Sequence, residues 1–206
     1  MENNKINYQK ITDDIISSLG KEGIKPHLLL HSCCAPCSSY VLEYLNKYFK
    51  ITILFYNPNI SPENEFEFRY DELKRLIKEM KLDIEVIKGE YEPQKFFELA
   101  KGLEELPEDS ERCYRCYRLR LEEAAKSAKK IGCDYFTTTL SISPHKNASK
   151  LNSIGKEISD EFKIAYLYSD FKKKNGYKRS CELSEIYKLY RQDYCGCVFS
   201  KRIALP

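Results

Sequence analysis

The sequence predicts an α/β protein in which a five-stranded parallel sheet lies between two layers of helices. Three observations support this three-layer α/β/α class: five short apolar segments resemble strands, helical periodicity separates them, and 206 residues suffice for one buried core. We find no internal repeat, low-complexity tract or dividing linker, and we expect a single domain over residues 1–206. Its expected parts are an N-terminal helical extension (1–25), an α/β core (26–170) and a C-terminal part with a basic loop, a helix and a Cys-Gly-Cys segment (171–206).

Strands and helices alternate along the first half of the chain. Apolar residues at helical spacing over 6–19 precede the first strand, PHLLLHS (26–32). Ser38 or Ser39 can cap the next helix, and ITILFYNP (51–58) is the second strand. Ser61 and Pro62 are typical of a third helix start, and DIEVIKG (83–89) is the third strand.

The same alternation continues in the second half. The predicted helices begin near Pro93 and then cover 113–130, 147–161 and 181–192, and the predicted strands are 134–143 and 163–169. Each strand is thus followed by a helix, which is the arrangement that parallel strands require.

Composition argues against a membrane or secreted protein. Hydrophobic residues make up 42% and charged residues 32% of the chain, and no apolar stretch approaches the roughly 20 residues that span a bilayer. The start MENNKINYQK lacks the order of a signal peptide. We therefore expect a cytoplasmic protein with no membrane partner.

Nine cysteines are many for a reducing compartment, where clustered thiols bind metals or perform redox chemistry more often than they form structural disulfides. The segment HSCCAPCSSY places Cys33, Cys34 and Cys37 directly after the first strand. In open α/β sheets, ligands bind at this edge, where a nucleotide-binding protein has a glycine-rich loop. This loop has no glycine, so we expect sulfur chemistry in its place.

A second group, ERCYRCYRLRL, has Cys113 and Cys116 on one face of a helix start. Together with Cys33 and Cys34 they form a four-thiolate set that suits either zinc or an iron–sulfur cluster. Spacing does not decide between the metals, and buried structural cysteines are the alternative. Cys37 is left to ligate a second metal or to pack.

The third group is Cys195-Gly196-Cys197. The glycine lets the backbone bend until the thiols meet, which favours a dithiol that cycles through a strained, easily reduced disulfide. Two unconnected thiols in a C-terminal turn are the alternative.

A basic segment, DFKKKNGYKRS, follows the fifth strand. Positive charge interleaved with aromatic rings is typical of single-stranded nucleic-acid binding, whereas a solvated loop is the alternative. Its position on the same edge as the cysteines favours nucleic-acid binding. The candidate residues are Lys172, Lys173, Lys174, Tyr177, Lys178 and Arg179, with Phe171 as a further ring.

Five segments in this order resemble those of the epoxyqueuosine reductases of the QueH type, which work without cobalamin. The segments are LLHSCCAPCS, RCYRCYRLRLEEAA, TTTLSISPHKN, DFKKKNGY and LYRQDYCGC, and the resemblance spans residues 27–201. One departure is Asn175, where the family pattern has glycine. Asn tolerates a left-handed backbone, so we expect the turn to survive.

The resemblance implies a Rossmann-like fold of the adenine-nucleotide α-hydrolase type and a reductase acting on epoxyqueuosine at the wobble position of tRNA. It implies a [4Fe–4S] cluster on Cys33, Cys34, Cys113 and Cys116. It also implies a redox-active pair, Cys195 and Cys197, and a further mononuclear iron that we place near Cys37. Removal of the epoxide oxygen needs two electrons and two protons, and an external electron donor. A Lewis-acidic iron could polarise the oxygen while the dithiol supplies the electron pair.

Two other functions compete with this one. A zinc-binding, non-catalytic RNA-binding module would contain zinc and would not need Cys195 or Cys197. A tRNA-thiolating enzyme that uses ATP would need a Gly/Ser-rich loop where this chain has HSCCAPCS. The electron donor, the general acid and the oligomeric state are not predicted.

Overall fold

The computed structural model describes residues 6–23 and 25–200. Residues 1–5 and 24 of the expected N-terminal extension, and 201–206 of the expected C-terminal part, lie outside the described residues. The strands are β1 (His27–His31), β2 (Lys50–Phe55), β3 (Glu85–Lys88), β4 (Tyr135–Thr138) and β5 (Ala165–Tyr166). The helices are α1 (Tyr8–Glu22), α2 (Ala35–Leu45), α3 (Glu63–Glu79), α4 (Pro93–Ala100), α5 (Glu111–Ile131), α6 (Ala148–Phe162) and α7 (Gly176–Ile186).

The five strands form one parallel sheet in the order β3-β2-β1-β4-β5. The chain moves outward from β1 to β3 and then crosses back to β4, so the order reverses between β1 and β4. Ligands bind at such a reversal, beyond the carboxyl ends of the strands. The predicted fold class is confirmed, and the loop with Cys33 and Cys34 leaves β1 at this reversal.

Helices cover both faces of the sheet because successive strand residues point to opposite sides. On one face Leu29 packs with apolar residues of α5 and α6. On the other, Leu28 and Leu30 pack with α1, α2 and α3. α7 lies against α2. No helix among residues 6–23 and 25–200 is long and apolar enough to cross a membrane.

All five strands are shorter than the sequence predicts, and β4 and β5 are shortened most, because side chains replace the strand ladder there. The strand expected over 134–143 ends at Thr138, whose hydroxyl accepts a hydrogen bond from the Leu140 amide (3.1 Å) and starts a 3₁₀ turn, Thr139–Ile142. The strand expected over 163–169 is confined to Ala165–Tyr166. Beyond it, the Ser169 amide donates to the Asn152 side chain (2.9 Å).

The last helix begins earlier than predicted. α7 starts at Gly176, where an added Cβ would lie 1.9 Å from the Phe171 carbonyl oxygen, so only glycine permits this close approach. Asn175 before it has φ +62°, and the left-handed turn is kept despite the departure from the family pattern. Lys178 and Arg179 consequently lie on a helix, which corrects their prediction as part of a loop.

Candidate active site

Three cysteines form a compact group between β1 and α2. The extended backbone of Cys34 ends the loop, and α2 begins at the next residue with Pro36 in its first turn. Cys37, one turn into the helix, therefore faces back toward the other two. The sulfur atoms of Cys33, Cys34 and Cys37 all lie within 4.8 Å of one another, and the first two are 3.6 Å apart. In the described part of the chain, no other three potential metal ligands come this close.

Hydrogen bonds within this cysteine triad concentrate negative charge on one sulfur. The thiols of Cys34 and Cys37 donate to Cys33, and this holds the pKa of Cys33 well below its ordinary value. Donation to Cys33 raises the pKa of Cys34 to about 12, and it raises the pKa of Cys37 as well. Cys33 is thus the most acidic of three adjacent thiols, and three sulfur atoms this close together fit a thiophilic metal.

A buried arginine faces the sulfurs. The Arg120 side chain, 3% exposed, donates to the Asn57 oxygen (2.6 Å) and contacts the Cys116 sulfur (4.0 Å). Among the described residues no carboxylate forms an ion pair with it. Burial opposes the charge, yet the sulfurs of Cys116 and Cys33 raise the pKa of Arg120. Because a buried unpaired charge is costly, this guanidinium favours thiolates or another anion at the site.

His31, the last residue of β1, is a structural residue rather than a ligand. Its Nδ1 lies 2.9 Å from the Thr138 hydroxyl, and its Nε2 lies 3.1 Å from the Tyr56 carbonyl oxygen. Burial, together with the charge of Arg120, lowers its pKa to about 3. The ring is therefore neutral at physiological pH, and both of its nitrogens have partners.

Cys113 and Cys116 lie in the first turns of α5 but do not join the triad. Cys113 packs against the core cluster that contains Cys33 and Cys34, whereas Cys116 packs with Cys195 and Cys197. Across the described residues, neither belongs to a group of three ligand atoms at metal-binding spacing. The predicted four-cysteine ligand set stays a prediction.

The Cys195-Gly196-Cys197 segment is fastened through its main chain. The Ser61 amide donates to the Gly196 carbonyl oxygen (3.0 Å), and Arg69 donates to the Cys195 carbonyl oxygen (3.3 Å). Gly196 has φ +102°, a conformation that side chains rarely adopt. Segments at the carboxyl end of β2 therefore hold the pair at the same sheet edge as the triad.

The two thiols of this pair differ in acidity. A hydrogen bond from Cys197 holds the pKa of Cys195 well below its ordinary value, and the charge of Lys146 acts in the same direction. The Ser200 hydroxyl lies 3.1 Å from the Cys195 sulfur. The pKa of Cys197 is correspondingly raised. Cys195 is thus the more acidic member of the pair, and none of the nine cysteines forms a disulfide.

One cavity of about 520 Å³ joins these groups. Cys33 and Cys37 line it on the triad side, and Cys195 lines it on the other. Arg120, Lys146, Arg191 and Tyr177 also line it. Glu108 and Asp193 add two carboxylates to the lining, so a ligand in this cavity would meet two sets of thiols and a wall with more basic than acidic side chains.

Sequence reasoning missed the three basic residues of this wall. Arg120 follows Cys116 by four residues, so helical spacing could have placed it on the same face. Lys146 follows β4 at the ligand-binding edge, which was a weaker signal. Nothing in the sequence distinguishes Arg191 from a solvated arginine.

Most basic residues of the predicted segment form ion pairs with carboxylates of the same chain. Lys172 forms an ion pair with Asp170 (2.6 Å), Lys174 with Asp13 (2.5 Å) and Arg179 with Glu43 (2.7 Å). Lys173 and Lys178 are exposed, and Tyr177 lines the cavity. Phe171 is fully buried in the core, so the prediction that its ring interleaves with the charges for base stacking was wrong.

The fold and site define an α/β protein with an adenine-nucleotide α-hydrolase-like fold and a cluster of cysteines in the loop after β1. The structure of the U34-tRNA thiolase NcsA from Methanococcus maripaludis, with its [4Fe-4S] cluster, is similar in fold, with a TM-score of 0.56 and 12% identity. The match covers 94% of this chain and 68% of that one, and at this identity it shows the fold alone.

Sequence comparison identifies the family. The family model described as Epoxyqueuosine reductase QueH matches residues 28–203. The reductase of that name from Staphylococcus epidermidis is 45% identical over 206 residues, covering 97% of this chain and 87% of the relative. That from Thermotoga maritima is 36% identical over 179 residues, covering 84% and 89%. The chain belongs to the epoxyqueuosine reductase QueH family, and it is an oxidoreductase of queuosine biosynthesis, as the motifs predict.

Proposed function

We propose that the chain removes the epoxide oxygen of epoxyqueuosine in tRNA to give queuosine, with Cys195 and Cys197 as the redox-active pair. The observation that carries this proposal is the single cavity lined by Cys33 and Cys37 of the triad and by Cys195 of the pair. One substrate group in that space would lie near both sets of thiols. Family membership supports the reductase over a non-catalytic zinc-binding module.

The residues present fit a metal centre with thiolate ligands. Three thiols within 4.8 Å of one another supply soft ligands, and the buried Arg120 lacks a carboxylate partner among the described residues and so favours an anionic centre. We propose Cys33, Cys34, Cys113 and Cys116 as the ligands of an iron–sulfur cluster and Cys37 as the ligand nearest a second, mononuclear iron. A cluster bound there would supply single electrons, and an iron ion would supply Lewis acidity.

The cysteine pair can account for the electrons of the reaction and for one of its protons. Conversion of an epoxide to an alkene consumes two electrons and two protons and releases water. Oxidation of a Cys195 thiolate and a Cys197 thiol to a disulfide provides two electrons and one proton, and the second proton is taken from solvent. The lowered pKa of Cys195 supports its role as the reactive thiolate, and Lys146 offsets its charge. An external electron donor would then reduce the disulfide for the next turnover.

Charge around the cavity supports an RNA substrate, which also implies a cytoplasmic reaction. Lys173 and Lys178 are exposed and can contact phosphates, and Tyr177 offers a ring. The remaining members of the predicted tRNA-binding set, Lys172, Lys174 and Arg179, would have to exchange a carboxylate for a phosphate.

Cysteine substitutions test the redox role. Cys195→Ser and Cys197→Ser should abolish multiple turnover while iron and sulfide contents, measured after anaerobic purification, stay at the wild-type level. Cys133→Ser is the matched control, because Cys133 precedes β4 at the opposite edge of the sheet. Unchanged turnover in Cys195→Ser would refute the redox role. Zinc without acid-labile sulfide in the wild-type protein would favour the non-catalytic module.

A further inference from the structure

We propose that Tyr177 and Arg191 form a stacking seat for the planar wobble base of the substrate. This inference rests on the proposed function and names the part of the enzyme that would hold the base while its substituent enters the cavity. Both residues line the cavity that contains Cys33, Cys37 and Cys195. Both are also exposed, so they lie where the cavity meets solvent.

The two side chains are already arranged as a pair. The Arg191 guanidinium lies 6.0 Å from the centroid of the Tyr177 ring, within the range of a cation–π contact. Arg191 also donates to the Ser184 hydroxyl (3.1 Å), and Ser184 is buried and donates to the Ser180 carbonyl oxygen (2.6 Å). These contacts hold Arg191 against α7, whose first turn carries Tyr177. The seat is therefore organised before any ligand binds.

The charge of Arg191 is not neutralised by a carboxylate in the described part of the chain. Among the described residues no Asp or Glu forms an ion pair with it, whereas Arg179 on α7 pairs with both Glu43 and Glu182. An exposed guanidinium held by a neutral hydroxyl keeps its remaining donors, and the planar face that is not against Tyr177, for a ligand. This difference separates Arg191 from the structural arginines of the same region.

An aromatic ring and a guanidinium plane are the two surfaces on which proteins stack unpaired bases. Tyr177 is 37% exposed and lines the cavity, so its side chain is accessible to a ligand there. A volume of about 520 Å³ lies within the range of pockets that take one small ligand. With the base stacked on this seat, the cavity and the thiols that line it remain open to the epoxide-bearing substituent.

A double-mutant cycle between protein and RNA tests the seat. The probes are two anticodon stem-loops, one with guanine at the wobble position and one abasic there, bound to the full-length protein. Wild-type protein should bind the guanine stem-loop about 10- to 100-fold more tightly than the abasic one. Tyr177→Leu and Arg191→Gln should lose most of this preference, and Tyr177→Phe, which keeps the ring, should retain most of it.

Tyr190→Leu is the matched control, because Tyr190 is also 37% exposed but packs on Phe68 away from the cavity. It should leave the preference unchanged. Equal weakening of both stem-loops by Tyr177→Leu, or no preference in the wild type, would overturn the seat. Conversion of an epoxyqueuosine stem-loop is measured separately. Its absence in the wild type would refute the proposed function, whereas conversion without base preference would refute the seat alone.

Discussion

Substitution of Gly196 by alanine should dislodge the cysteine pair. The new Cβ would lie 2.7 Å from Ile60 Cγ1, 3.2 Å from an Arg69 guanidinium nitrogen and 3.3 Å from the Ile60 Cα. Ile60 and Arg69 are buried, so they have little room to move. The positive φ adds about 1–3 kcal/mol of backbone strain, and the overpacking adds about 1–3 kcal/mol. We expect the loop to leave its position rather than absorb about 2–6 kcal/mol.

Urea unfolding and the rate of Cys195–Cys197 disulfide formation in a defined thiol buffer measure the effect. Gly196→Ala should lower stability and slow disulfide formation. Gly20→Ala is the control, because a Cβ there meets nothing within 4 Å and α1 should gain about 0.5–1 kcal/mol from it. If Gly196→Ala matched wild type in both measurements, the steric reasoning would be wrong.

Three further outcomes follow from the electrostatics. The pKa of His31 is lowered from 6.5 to about 3, so between these pH values the unfolded chain binds a proton that the folded chain excludes. As pH falls from 6.5 toward 3, the free energy of unfolding measured in urea should therefore fall by about 1.4 kcal/mol per pH unit. His31→Gln should reduce this slope. Arg120→Met should weaken iron retention against a chelator about 10- to 100-fold, whereas Arg118→Gln on the solvent side of α5 should not. The lowered pKa of Cys195 predicts that iodoacetamide labels it faster than Cys181 at pH 7, and that its labelling falls only at lower pH; equal rates would contradict this.

The architecture was predictable because it depends on local periodicity. Apolar segments such as Leu28–Leu30 alternate with helical stripes, and short connections leave a parallel sheet as the compact solution. The same reasoning placed Cys33 and Cys34 at the carboxyl edge of β1, where the structure has them.

What could not be predicted depends on contacts between distant residues. β5 is short because the Ser169 amide donates its hydrogen bond to the side chain of Asn152, 17 residues earlier, instead of extending the strand. Phe171 lies in the basic segment, where an aromatic ring suggests base stacking. The close packing of α7 at Gly176 instead places this ring in the core. The role of Arg191 depends on its contact with the Tyr177 ring, 14 positions earlier in the first turn of α7, which sequence spacing does not reveal.

The anchoring of the Cys195-Gly196-Cys197 segment has a consequence for electron transfer. The hydrogen bonds from Ser61 and Arg69 are made to carbonyl oxygens of this segment and not to its sulfur atoms. A change in the oxidation state of the pair therefore breaks none of these anchors. For the proposed redox step we therefore expect a small reorganisation energy, because the backbone anchors of the segment do not depend on the oxidation state of its sulfurs.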